Sequence, residues 1–194
     1  TAIGKQALTE NTSGYNNVSV GAFSLISNTT GNFNTALGKD ALGSNTTSHN
    51  NTAVGHDALT ANTTGAQNTA IGAAALLKNT TASYNVAVGY YALEDTTTGA
   101  NNVAVGSFAL ESNTANNNTA VGDVSLRVNT TGSNNTALGK NSLGANTTAS
   151  FNTAIGYDAL KLNTTGASNT ALGAYSLDTN TTGTKNTSIG YNSL

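Results

Sequence analysis

Along this chain an aliphatic residue followed by glycine recurs, with a leucine always four residues after the glycine. The phrase is complete in Asn152-Thr153-Ala154-Ile155-Gly156-Tyr157-Asp158-Ala159-Leu160. Its leucine returns at Leu8, Leu25, Leu42, Leu59, Leu76, Leu93, Leu110, Leu126, Leu143, Leu160, Leu177 and Leu194, in steps of 17 residues with a single step of 16 between Leu110 and Leu126. A short, fixed period predicts stacked coils that each touch only their neighbours. Positions are counted from the leading Asn, so Asn152 is position 1, Gly156 position 5 and Leu160 position 9.

Within a coil, positions 2 to 4 read Thr/Val, Ala/Ser, Ile/Val/Leu, which predicts a short strand. Alternation puts positions 2 and 4 on one face and the small position 3 on the other. The leucines from Leu42 to Leu177 are expected to form a buried stack, and so are Leu37, Val54, Ile71, Val88 and Val105. Position 3 never exceeds Ala or Ser, which suggests a flat face that a second chain can approach closely. Gly at position 5 is invariant from Gly4 to Gly190, as a corner with φ > 0 requires. Positions 6 to 9 are too short to nucleate a helix and are expected to form a second strand. Positions 12 to 15, as in Asn62-Thr63-Thr64-Gly65, carry turn chemistry.

The fold class expected is therefore all-β: a parallel β-solenoid of twelve 17-residue coils, one repeat unit spanning 1–194 and read as a fragment of a longer fibre. Irregular coils fall at about 90–122. Thr96 replaces the position-12 Asn there, and the 16-residue step follows at Asn116-Asn117. The absence of proline suits a chain whose backbone N–H groups are nearly all needed for ladders.

Composition narrows the function classes. Only 8% of residues are charged and the net charge is −2, so nucleic acid and anionic lipid find no basic footprint. No apolar run approaches the ~20 residues of a membrane span. With no cysteine, disulfides and thiolate metal sites are excluded. His49 and His56 share no recurring ligand position, and no pair of carboxylates suggests catalysis: Glu94 and Glu111 share position 10 with Arg127, as solvated surface charge does. No enzyme activity, metal or cofactor is expected.

The phrases Asn-Thr-Ala-Ile/Val/Leu-Gly-x-x-Ala-Leu and Asn-Thr-Thr-Gly, repeated over the entire chain, resemble the head repeats of trimeric autotransporter adhesins. They resemble still more the repeats of phage tail fibres and "tail fiber domain" bacterial surface proteins. The resemblance implies a left-handed β-roll whose three copies pack side by side. It also implies an extracellular place on a cell surface or virion, as a structural or adhesive fibre segment presenting a distal binding element. The 17-residue period is longer than is usual in the adhesin heads. The partner expected first is the chain itself, as a parallel homotrimer, with end-to-end stacking into an extracellular filament second.

Two local features suggest chemistry of their own. Tyr90, Tyr91 and Phe108, with Tyr84 nearby, form an aromatic concentration that suits a carbohydrate-binding module and a surface glycan, although such rows also stabilise sheets. Asn11, Asn28, Asn45, Asn62, Asn79, Asn129, Asn146, Asn163 and Asn180 head Asn-x-Thr/Ser triplets, formal glycosylation acceptors. A turn ladder explains them better, because Asn113 persists where Ala115 destroys the triplet and glycans at one sheet spacing would crowd. Spacing finally predicts three surface ion pairs: Lys78 with Asp95, Lys161 with Asp178, and Asp123 with Lys140.

Overall fold

The computed structural model describes residues 1–194. Twelve strands, from Ala2–Ile3 and Val18–Val20 to Thr187–Ile189, form one parallel sheet in strict chain order. Each strand pairs with the same residues one repeat away, as in Thr35 with Thr52, Ala36 with Ala53 and Leu37 with Val54. The chain is a parallel β-solenoid of 17-residue repeats.

The strand faces are the reverse of the sequence expectation. Position 3 points inward: Ala36, Ala53, Ala70, Ala87, Ala104, Ala120, Ala137, Ala154 and Ala171 are fully buried. Positions 2 and 4 point out. The expected buried column of Leu37, Val54, Ile71, Val88 and Val105 does not exist, since Leu37 is 47% and Ile71 40% exposed and the three valines are only half-buried. Nor is position 3 a flat outer face for a second chain. The reason is the thinness of the coil. The position-9 leucine fills the interior from the opposite wall, and only a methyl fits against it.

The leucine stack itself is as expected, with Leu25 to Leu160 fully buried and Leu177 8% exposed. Each leucine removed from water supplies ~1.5–3 kcal/mol. Inward serines are matched to one another: Ser125 Oγ lies 3.0 Å from Ser142 Oγ, and Ser19 Oγ 2.6 Å from Ser24 Oγ.

Positions 6 to 9 are not a second strand. Two turns follow one another, closed by bonds such as Ala41 N–H to Gly38 O (3.4 Å) and Asn45 N–H to Leu42 O (3.2 Å). Position 7 is left-handed throughout (Asp40 φ 57°, Tyr91 φ 55°), and so is the leucine of position 9 (Leu42 φ 51°, Leu93 φ 53°). A left-handed leucine is costly, by ~1–2 kcal/mol, and persists only because the closed interior over-determines it. Glycine at position 5 has two reasons. Its φ is 135° at Gly72, and a Cβ there would lie 2.7 Å from the carbonyl carbon of Gly89 in the next coil.

These corners still bond coil to coil. Of 125 backbone hydrogen bonds only 21 lie within strands, so most of the cohesion is outside the sheet. The N–H of position 7 reaches the position-6 carbonyl of the preceding coil (Phe108 to Tyr90, 2.9 Å), and the N–H of position 9 reaches the position-8 carbonyl of the next (Leu93 to Ala109, 3.0 Å).

Candidate functional site

The rod has no concave pocket, so any chemistry lies on its outer columns. The first is the outward sheet face. Position 2 supplies Thr35, Thr52, Thr69, Val86, Val103, Thr119, Thr136, Thr153 and Thr170; position 4 supplies an unbroken aliphatic column; no charged residue interrupts either. This face runs the length of the rod.

The second is the corner of positions 6 and 7, where the structure brings Tyr90, Tyr91 and Phe108 together. The Tyr91 and Phe108 rings are parallel, with centroids 5.8 Å apart, and Tyr90 meets them edge-on at 4.2 and 5.4 Å. The Arg127 guanidinium also lies over Phe108, 5.0 Å from its centroid. The cluster is thus largely packed on itself, and Tyr90, at 48% exposure, is the ring turned most to solvent.

Sequence reasoning missed two further aromatic rows: Tyr157–Tyr175–Tyr191, with centroids 5.3 and 5.9 Å apart, and Tyr15–Phe33, 5.3 Å apart. The signal was a separation of 18 (Tyr157–Tyr175, Tyr15–Phe33) or 16 (Tyr175–Tyr191) rather than 17. Because position 7 bonds to position 6 of the preceding coil, residues 18 apart are side by side: Tyr157 and Tyr175, Tyr90 and Phe108, and Lys5 with Phe23, whose ammonium lies 5.4 Å from the ring centroid. Tyr15 and Phe33 meet through the same bond at positions 16 and 17 (3.2 Å).

Two of the expected ion pairs form at the 17-residue offset. Lys78 Nζ sits 2.5 Å from Asp95 and 3.6 Å from Glu94, and Lys140 Nζ is 3.4 Å from Asp123. The pairing expected between Lys161 and Asp178 does not form, because Lys161 Nζ turns to Asp158 in its own coil at 3.1 Å. That carboxylate is the better partner, since it is nearly buried and already accepts Asn141 Nδ2 at 2.7 Å. Of the two acids at position 10, Glu111 holds Arg127 Nε at 2.5 Å, while burial pushes the Glu94 carboxyl above its ordinary value. Asp40, His56 and Asp57 place three potential ligand atoms within 4.8 Å of one another. Lys39 Nζ already occupies the Asp40 carboxylate at 2.5 Å, and His56 Nδ1 is 3.0 Å from Asp57.

The position-12 asparagines form an inward amide ladder. Asn62 Nδ2 donates to Asn45 Oδ1 (3.0 Å) and to Gly65 O (2.9 Å), and its neighbours repeat both bonds. Asn28, Asn45, Asn62, Asn79, Asn129, Asn146 and Asn163 are fully buried, while Asn11 and Asn180 are half-buried. A glycan on a buried amide would cost that amide its ladder bond. A second ladder runs through position 1, where Asn34 N–H donates to Asn17 Oδ1 (2.9 Å) and Asn34 Nδ2 to Ser48 O (2.8 Å).

No protein-family model, curated protein or solved structure matches the chain.

Proposed function

We propose that this chain is a rigid rod segment of an extracellular fibre on a cell surface or virion, and that copies associate side by side through the outward sheet face. The observation that carries this is the uncharged column of Leu37, Ile71, Leu138 and Leu172 standing exposed along one side. A solvated strand face ordinarily alternates toward polar residues, and a continuous exposed apolar stripe marks an interaction surface. A second copy fits it best, because an identical rod offers an equally long, equally flat and equally uncharged stripe in the same register. The resemblance of the Asn-Thr-Ala-Val-Gly phrases to adhesin heads and tail fibres favours three parallel copies. It equally favours a role in holding a binding element at a distance.

The test is sedimentation of the wild type against Ile71→Lys/Leu138→Lys. The wild type is expected to be a stable oligomer at micromolar concentration, and the double variant a monomer with unchanged β circular dichroism. A wild type that stays a folded monomer overturns the reading.

A second reading, glycan contact, is favoured by the half-exposed Tyr90 and by the Tyr157–Tyr175–Tyr191 row. Glycan-array binding that is lost in Tyr90→Ala or Tyr157→Ala would support it. Absence of binding by the oligomer would dispose of it.

A further inference from the structure

We infer that the rod contains a built-in seam on its turn edge, between the coil of Thr96 and the coil of Asn113, where it opens locally while its sheet edge stays zipped. One observation lies at the adjoining step, between the coils of Asn79 and Thr96, and the others lie at the seam itself. Asn79 Oδ1 is the one buried side-chain polar atom without a partner. The cause is next door: Thr96 stands where every neighbouring coil has an asparagine, so no Nδ2 arrives to meet Asn79. The Thr96 hydroxyl donates instead to the main-chain oxygen of Asn113 at 2.7 Å. The amide ladder is thereby divided into one run ending at Asn79 and another starting at Asn113.

The backbone is interrupted at the same place. At every other step along this edge, the position-13 N–H and hydroxyl both bond the next coil's position-13 carbonyl, as Thr63 does to Thr80 (2.9 and 3.0 Å) and Thr130 to Thr147 (2.8 and 3.0 Å). From Thr97 and Thr98 no such bond runs to Thr114. The 16-residue coil explains it: position 14 is skipped, so Asn113 Nδ2 reaches Ala115 O two residues on (2.9 Å) instead of the usual three. The Thr114 carbonyl is thereby displaced from its column.

The sheet edge across the seam is intact. Val86, Ala87 and Val88 pair with Val103, Ala104 and Val105, and Asp95 N–H bonds Glu111 O at 2.9 Å. The stacked Tyr91 and Phe108 rings bridge the same two coils from outside. Parting the turn edge breaks the Thr96 hydroxyl bond to Asn113 O, Ala100 N–H to Asn116 Oδ1 (2.7 Å) and Asn117 N–H to Ala100 O (3.1 Å). It meets none of the position-12 amide and position-13 backbone bonds that hold the neighbouring steps, and it lets water reach the unpaired N–H groups of Thr97 and Thr98. Such a segment opens below the free energy of global unfolding. The seam follows from hydrogen bonding alone and does not depend on what the rod carries.

Amide hydrogen exchange on the full chain tests it. Thr97 and Thr98 are expected to exchange on the order of tenfold faster than Thr63, Thr64, Thr130 and Thr131. Thr96→Asn supplies the missing amide and should slow exchange several-fold in the turns at Asn79 and residue 96. Asn62→Thr transplants the ladder break alone, leaving Asn45 Oδ1 without its Nδ2 donor, and should speed exchange in the turns at Asn45 and residue 62 while leaving coils near Asn146 unchanged. Uniform exchange along the wild-type turn edge overturns the seam, and so does a pair of substitutions that move neither turn.

Discussion

The two faces of the same three-residue strand obey opposite rules. The inward residue is small and nearly invariant, Ala or Ser in every coil, and it is fully buried in most. The outward residues are larger and more variable, Thr or Val at position 2 and a bulky aliphatic at position 4, yet they face solvent in the single chain. In a coil this thin, room and not hydrophobicity decides what goes inside. One leucine per turn fills the interior, so the wall opposite must be methyl-sized. The contrast teaches that restricted volume along a repeat column marks a core more reliably than apolar character does. Aliphatic columns left outside are then free to serve a neighbour.

Leu93→Ala should break the inside most severely. It empties the widest part of one coil and is expected to cost ~2–5 kcal/mol by chemical denaturation; a loss below about half a kcal/mol would mean that the leucine column is not the core. Ala104→Leu comes next, at ~1–3 kcal/mol from overpacking, whereas Val105→Leu, one residue on and facing out, should stay within about half a kcal/mol. If those two substitutions cost the same, the inside–outside distinction fails. Outward Ile71→Thr should leave the single chain's stability within about half a kcal/mol but weaken self-association in sedimentation.

The smallest effect concerns Glu94. Burial raises its carboxyl above the ordinary 4.5, so the folded chain holds that proton more tightly than the unfolded chain does. The resulting stability is present in acid and declines as pH rises from the ordinary value through the raised one. Glu94→Gln should flatten that decline in melting temperature between mildly acid and neutral pH. An unchanged pH profile would place Glu94 in full solvent.

Much of this was legible in the chain. The period gave the solenoid, the invariant glycine gave the positive-φ corner, and the 17-residue offset gave the Lys78–Asp95 and Asp123–Lys140 pairs. Two errors share a cause. Placing Val54 and Ile71 inside, and extending positions 6 to 9 as a strand, both assumed that backbone shape follows side-chain preference. The corner instead alternates left-handed residues that no propensity favours, including Leu42 and Tyr91, because stacking fixes each coil against the next. The same corner offsets neighbours by one residue, which hid Tyr157, Tyr175 and Tyr191 from a search at 17. The outward face, the surface proposed to meet a second copy, was hidden by that same inversion.

The amide ladders also give the rod a direction. Asn28 Nδ2 donates to Asn11 Oδ1, Asn45 Nδ2 to Asn28 Oδ1, and Asn34 N–H to Asn17 Oδ1, always toward the lower-numbered coil. A plane drawn between any two such coils would part a surface of amide carbonyl oxygens from a surface of amide hydrogens. Two copies of one surface repel at these columns; only unlike surfaces mate. Any joint made by continuing these ladders must therefore run head to tail, and a fibre spliced from such coils points one way, like an arrow, however many repeats it contains.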